Sequence, residues 1–148
     1  MTKEVASCKE DEAARAAAER MLQSHVGSLP VVDGEGRLTG VVTDRDLVVR
    51  VMARGLDANA ATLSEVMSRE LVTCAPTDDV DEAVDRMMRH QVRRIYIVDA
   101  DGRLAGVIAQ ADIASRSGNR SNTARLVERV SQPGVPEPVP FGMGSNRE

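Results

Sequence analysis

The chain repeats itself. Displaced by about 66 residues, the separation of Cys8 from Cys74, it aligns with its own sequence without a gap. MTKEVASC falls on MSRELVTC, and AERMLQSHVGSLPVVDGEGRLTGVVTDRDL falls on VDRMMRHQVRRIYIVDADGRLAGVIAQADI. About a third of roughly 50 aligned positions are identical. They include Met21 with Met87, Val26 with Val92, Asp33 with Asp99, Gly36 with Gly102, Gly40 with Gly106 and Asp46 with Asp112. Gene duplication explains this, and it means that one small unit must fold in a way that lets its copy pack against it.

Each copy reads as strand, helix, strand, strand, helix. The first strands are Glu4 to Cys8 and Leu71 to Cys74. Apolar residues then recur at helical spacing: Ala14, Ala17, Ala18, Met21 and Leu22, repeated as Val80, Ala83, Val84, Met87 and Met88. Acidic or small polar residues ahead of these stripes (Glu10, Asp11; Thr77, Asp78, Asp79) complement the helix dipole. Two hairpins follow, Leu29 to Asp33 with Leu38 to Val42, and Ile95 to Asp99 with Leu104 to Ala109, each turning on an Asp and Gly sequence. Helices at Asp44 to Ala53 and Gln110 to Arg116 close the units.

The domain reading is therefore repeat one at residues 1–54, a connection at 55–66 and repeat two at 67–117. A further amphipathic helix is expected at 118–131 and a Pro- and Gly-rich flexible tail at 132–148. Ser64-Glu65-Val66 reads as a short helical turn with no counterpart before Met1, so the first repeat begins abruptly, as if its lead-in were absent or the start lay upstream. The fold class is α/β with α+β character. A three-stranded sheet with two helices is too small to stand alone. The expectation is two copies stacked sheet to sheet about a pseudo-two-fold axis, with one common core and two equivalent clefts, where small ligands usually bind.

Composition narrows the function. Net charge is -4 with both signs interspersed, which argues against nucleic acid. Tyr96 and Phe141 are the only aromatic residues, so a base-stacking platform is not expected. No apolar run approaches the ~20 residues of a membrane span, and the N-terminus has no apolar signal region. A cytoplasmic protein is the default. Cys8 and Cys74, at equivalent positions, read as small buried hydrophobes, and His25 and His90 share no ligand-like spacing with them, so no metal is expected. No nucleophile–base pair, phosphate-binding glycine loop or paired carboxylates stand out, so no catalytic residue is assigned and the chain reads as a non-enzyme.

Gly40-Val41-Val42-Thr43-Asp44-Arg45-Asp46 is the most informative segment. A strand ends at Thr43 and a helix begins at once. Thr43 suits the N-cap, and free amides at such a start can hold a phosphate. Asp46, acceptor-only when ionised, suits a pair of sugar hydroxyls. Gly40 allows close approach of a backbone or a facing strand. Taken alone, Thr-x-x-Asp is equally a capping pattern.

Together with Val26-Gly27-Ser28-Leu29-Pro30-Val31-Val32-Asp33, and with Val92 to Asp99 and Gly106 to Asp112 in the second copy, this segment resembles the cystathionine β-synthase (CBS) domain, which occurs in tandem as a Bateman module. The likeness covers residues 1 to 116 and is to the short, stand-alone bacterial type. It implies regulation by an adenosine-containing ligand such as AMP, ADP, ATP or S-adenosylmethionine. Carried over by position, one site would use Thr43, Asp46 and Gly40, lined by Val26, Gly27, Ser28 and Leu29. The other would use Asp112, with Val92, Arg93, Arg94 and Ile95. Arginines at the columns of Arg93 and Arg94 contact phosphates in some relatives, and charge-assisted bonds of that kind are strong; the alternative is two exposed strand-edge arginines. Ala109 stands where the pattern has Thr, Tyr96 where it has Pro, and Gly27 and Ser28 where basic residues occur. Two readings follow: an adenine-nucleotide sensor, or a stress-associated interaction protein without a nucleotide and with an unidentified protein partner. The resemblance also implies a homodimer, with Ala16, Ala17, Met21, Met87, Met88, Val48, Val51 and Met52 available on the helices.

Overall fold

A computed structural model describes residues 5–116, with side chains to Ile113. The helix expected at 118–131 and the tail at 132–148 lie outside the described residues. The order of elements is β1 (Cys8–Lys9), α1 (Ala14–Ser24), β2 (Ser28–Val32), β3 (Leu38–Thr43), α2 (Asp44–Asp46) running into a π-helical turn (Leu47–Met52), α3 (Leu63–Val66), β4 (Thr73–Cys74), α4 (Val80–His90), β5 (Arg94–Val98), β6 (Leu104–Ala109) and α5 (Gln110–Arg116). The strand–helix–strand–strand–helix unit is present twice.

Each repeat carries its own three-stranded sheet, β1-β2-β3 and β4-β5-β6, and the two are wired alike. Cys8 and Lys9 pair in parallel with Val31 and Val32, as Thr73 and Cys74 pair with Tyr96 and Ile97. Ser28 pairs with Thr43 as Arg94 pairs with Ala109, and both hairpins shift register before their last pair. The first strands are shorter than the apolar runs suggested, because regular pairing is confined to two residues in each. In both turns an aspartate takes the amides two and four residues on. Asp33 Oδ1 accepts from Glu35 and Arg37 at 2.9 and 3.0 Å, and Asp99 Oδ1 from Asp101 and Arg103 at the same distances. Gly36 and Gly102 sit at φ 81° and 82°, where a side chain is strained.

The helices differ from expectation at their starts. Glu10 and Asp11 do not reach the first turn of α1, whose N-cap is Ala13. Its free amides go instead to carbonyls of the connection: Ala14 N–H donates to Ala61 at 2.8 Å and Arg15 N–H to Ala58 at 3.0 Å. The helix expected at Asp44 to Ala53 is one α-turn followed by π geometry, with Ala53 N–H donating to Val48 O at 2.8 Å, five residues back. Both α1 and α4 end on a left-handed residue that is not glycine, His25 and Gln91, each at φ 54°. They close the helices by backbone bonds to Met21 and to Met87 and Met88.

The single common core anticipated from the sequence resolves into two clusters. One joins Cys8, Ala17, Leu29, Val31 and Val42 to Ala61, Leu63, Val66 and Met67, so the connection packs into the first repeat. The other joins Cys74, Val84, Met87, Ile95, Ile97 and Ile113. Alternation along the strands explains the split. Leu29 and Val31 turn into one cluster and Ile95 and Ile97 into the other. Pro30, Val32, Tyr96 and Val107 are buried outside both, on the opposite sheet faces. The repeats meet through equivalent turns. Leu38 N–H donates to Gly102 O at 3.0 Å and Leu104 N–H to Gly36 O at 3.1 Å, around an Arg37–Arg103 bridge. A contact whose donor and acceptor positions exchange between copies is what a two-fold axis produces.

Candidate site: two clefts between the repeats

The axis generates two clefts, each made from unlike parts of both repeats. The larger has a volume of about 510 Å³. The first repeat supplies His25, Val26, Gly27 and Ser28 after α1, and Val41, Thr43 and Asp44 where β3 gives way to α2. The second supplies its lead-in, Glu70, Leu71 and Val72, and the start of β5, Val92, Arg93, Arg94 and Tyr96. The smaller has a volume of about 280 Å³. Here the parts are exchanged. The second repeat gives Val107, Ala109 and Asp112 from the β6–α5 junction, with Arg94 and Tyr96. The first gives its lead-in, Val5 and Ala6, with Ser24, Val26, Ser28, Leu29 and Pro30. In both clefts the strand-to-helix junction of one repeat faces the lead-in of the other.

A duplicated arginine holds each lead-in in place. Arg20 on α1 donates to the Ser7 carbonyl at 3.0 Å, to Cys8 Sγ at 3.1 Å and to both Glu12 oxygens at 2.7 and 2.5 Å. Its counterpart Arg86 donates to the Thr73 carbonyl at 2.6 Å and to Glu82 at 2.7 Å, with Asp78 at 3.6 Å. A planar guanidinium is suited to such divided duty. The Arg20 bonds hold the Glu12 carboxyl below the usual range. Burial pushes the thiols of Cys8 and Cys74 up against the neighbouring arginines. Both cysteines are free and buried.

The residues singled out from the sequence divide differently from the expected grouping. Val26, Gly27, Ser28 and Thr43 share the larger cleft with Val92, Arg93 and Arg94. Leu29 lies with Asp112 in the smaller one. Ile95 is fully buried in its repeat's core and lines neither. Gly40 also lines neither. A Cβ there would meet Met67 Sδ at 2.6 Å and the Ser68 carbonyl at 2.8 Å. Its role in the fold is therefore close approach of the facing chain, where Val41 and Ser68 exchange bonds of 2.9 and 2.8 Å.

Asp46 closes a capping box rather than lining the larger cleft. Its Oδ2 accepts from Thr43 N–H at 2.9 Å, Thr43 Oγ1 accepts from Asp46 N–H at 3.0 Å, and Arg50 stands 3.7 Å from Oδ1. Asp112 keeps one half of that arrangement, accepting from Ala109 N–H at 3.0 Å, and Ala109 has no hydroxyl to return it. Tyr96 is buried, and that burial raises its phenol above the ordinary value against the opposing influence of Ser28 and Arg94 nearby. The lead-ins, His25, Asp44 and Tyr96 were not among the site residues assigned from the sequence, although Asp44 and Tyr96 stand in its motifs. Their signal was the repeat itself, because a lead-in conserved in pattern but short in pairing has a second task.

Profile comparison decides the family: the CBS domain profile matches residues 1–53 and again 63–119. The chain belongs to the CBS domain family. It is 36% identical over 135 residues to the CBS domain-containing protein YhcV of Bacillus subtilis, covering 91% of this chain and 94% of that one. It is 37% identical over 105 residues to hypoxic response protein 1 of Mycobacterium tuberculosis, covering 71% and 73%. A crystal structure of hypoxic response protein I with two coordinated zinc ions superposes with a TM-score of 0.71 at 35% identity, over 78% of this chain and 93% of that one. A CBS domain protein of Pyrobaculum aerophilum complexed with AMP gives 0.70 at 25%, over 84% and 94%. Among the described residues no group of three or more His, Cys, Asp or Glu is placed to hold a metal ion. Among them, too, no helix is long and apolar enough to cross a membrane.

Proposed function

We propose that this CBS pair is a non-catalytic sensor that binds an adenosine-containing ligand, AMP, ADP, ATP or S-adenosylmethionine, in the clefts between its repeats. The observation that carries the reading is the composition of the larger cleft. Aliphatic Val26, Val41, Val72 and Val92 offer walls for a purine, while Arg93 and Arg94 stand at the same opening as the Thr43 helix start. Neither arginine makes a side-chain hydrogen bond or ion pair among the described residues, so both guanidinium groups are available to an anion. The volume falls within the range of small-ligand sites. The AMP complex of the Pyrobaculum relative points the same way. The experiment is a thermal-shift panel of the four ligands on the full chain. A ligand at 100 times its Kd adds about 2.7 kcal/mol of stability. Arg93→Ala should reduce the shift for the phosphate-bearing ligands most.

One observation favours a second reading, an interaction protein without a nucleotide. Asp46, the expected ribose acceptor, already serves the Thr43 amide and Arg50. On that reading none of the four ligands shifts the transition. Asp46→Ala then costs about 1 kcal/mol as a lost cap and nothing more.

The proposal extends to a homodimer. Of the helix residues considered for that face, Ala17, Met21, Val51, Met87 and Met88 are buried within the chain. Val48 and Met52 are 52% and 73% exposed, with Leu22 and Val49 also exposed. A second copy covering the π-helical turn would bury them. Sedimentation of the wild type as a dimer and of Met52→Glu as a monomer is the expected result; a monomeric wild type refutes it.

A further inference from the structure

The carboxylate expected to meet a ribose is occupied, and another stands open two residues before it. Asp46 lines neither cleft, and its oxygens serve Thr43 and Arg50. Asp44 lines the larger cleft. Its backbone is pinned to the turn after α1, where its N–H donates to the Gly27 carbonyl at 2.9 Å. Its side chain lies over the same glycine. A Cβ at Gly27 would meet Asp44 Oδ2 at 3.0 Å, so the missing side chain leaves that oxygen open to the cleft that both residues line. Oδ1 accepts from Arg45 N–H at 2.8 Å, which is ordinary service for an acid at a helix start. Oδ2 accepts no hydrogen bond among the described residues. The second repeat keeps only the backbone part of this arrangement. There Gln110 N–H donates to the Arg93 carbonyl at 3.0 Å, and Gln110 lines neither cleft.

We propose that Asp44, not Asp46, accepts the ribose hydroxyls of the ligand in the larger cleft. This rests on the nucleotide reading above and deepens it, because it makes the cleft selective for a ribose over a sugar without hydroxyls. An ionised carboxylate only accepts, so it repels the phosphate end and suits the two neighbouring hydroxyl donors of the sugar. Oδ2 is free for one of them, and Oδ1 keeps a lone pair beside its bond to Arg45 for the other. Glu70 is the other carboxylate of this cleft. It makes no side-chain hydrogen bond or ion pair among the described residues, and its longer side chain must be ordered on binding. Asp44 is already held by Arg45 and Gly27, and Asp46 is left to its capping box. A hydrogen bond to a charged group contributes a factor of about 10 to 100 in affinity. Asp44 is exposed to solvent, which places it at the lower end.

The test is calorimetric titration of the full chain with AMP and with its dideoxy analogue, which keeps base and phosphate and lacks both ribose hydroxyls. The wild type should bind AMP about tenfold more tightly than the analogue. Asp44→Asn keeps an oxygen for Arg45 N–H, and the helix start with it. It should weaken AMP about tenfold in one binding step and leave the analogue unchanged, so that the preference vanishes in that step. Asp46→Asn should retain the preference. A structural disturbance would weaken both ligands together, so an equal fall for both in Asp44→Asn overturns the proposal. So does a preference that survives Asp44→Asn in every step, one that is lost in Asp46→Asn instead, or a wild type with no preference. Failure of AMP and the analogue alike to bind the wild type would overturn the nucleotide reading itself, and the role of Asp44 with it.

Discussion

Alanine at position 40 separates packing from ligand binding most cleanly. The added Cβ would lie 2.6 Å from Met67 Sδ, 3.0 Å from Met67 Cγ and 2.8 Å from the Ser68 carbonyl oxygen. The methionine can swing aside, but the carbonyl is backbone and accepts the 2.9 Å bond from Val41 N–H. Relief therefore means parting the Val41–Ser68 bridge. Overpacking of this kind costs about 1–3 kcal/mol, and each of the two bridge bonds contributes about 1 kcal/mol. Gly40→Ala should lose about 2–4 kcal/mol, lowering the melting temperature by about 4–16 °C at the roughly 2–4 °C per kcal/mol of a chain of about 150 residues. Urea unfolding followed by far-ultraviolet circular dichroism measures the loss. Gly34→Ala, whose added Cβ meets nothing within 4 Å, is the control. A loss below about 0.5 kcal/mol, the range of an ordinary surface change, refutes the close-approach account. So does a variant of wild-type stability that has lost its ligand, which would return Gly40 to the binding site.

The remaining predictions concern charge and helix ends. Glu12, held low by Arg20, contributes stability above the unfolded glutamate value of about 4.3 and loses it as pH falls through its depressed folded value. Glu12→Gln should be less stable than wild type at pH 7 by about 1–2 kcal/mol, and the gap should close toward pH 3 in thermal melts. The Cys8 thiol, raised by burial, contributes stability below the unfolded thiol value of about 8.5 that is lost as pH rises through the folded value. Urea midpoints should fall between pH 8 and 10, and less steeply in Cys8→Ala; equal slopes would count against it. Gln91→Gly, relieving a left-handed residue at φ 54°, should stabilise by about 1 kcal/mol in the same urea assay, and a destabilised variant contradicts the strain argument.

Repetition and alternation made most of this fold legible. Asp33 and Asp99, with Gly36 and Gly102, announced the hairpins, and the methionines at helical spacing packed as core. What misled was local reasoning about ends. Glu10 and Asp11 looked like an acidic helix start, yet the amides of α1 are met by carbonyls of Ala58 and Ala61, over 40 residues away, which no local pattern encodes. The π-helical turn after Asp46 was equally silent, since its apolar residues suit either helical period. At the site, position gave fewer than half of the lining residues and not their partners. The grouping of Asp112 with Leu29, and of Thr43 with Arg93, follows from the exchange of lead-ins across the axis, a property of the docked pair.

That distant satisfaction of α1 has a consequence for dividing the gene. Residues 58–67, which look like a tether, complete the first half: they hydrogen-bond its leading helix and supply Leu63, Val66 and Met67 to its interior. A fragment cut at the apparent end of the repeat, residue 54, would be left with bare amides and an open apolar wall. One carried on to residue 70 would keep both closed, a difference that amide hydrogen exchange in α1 would read directly.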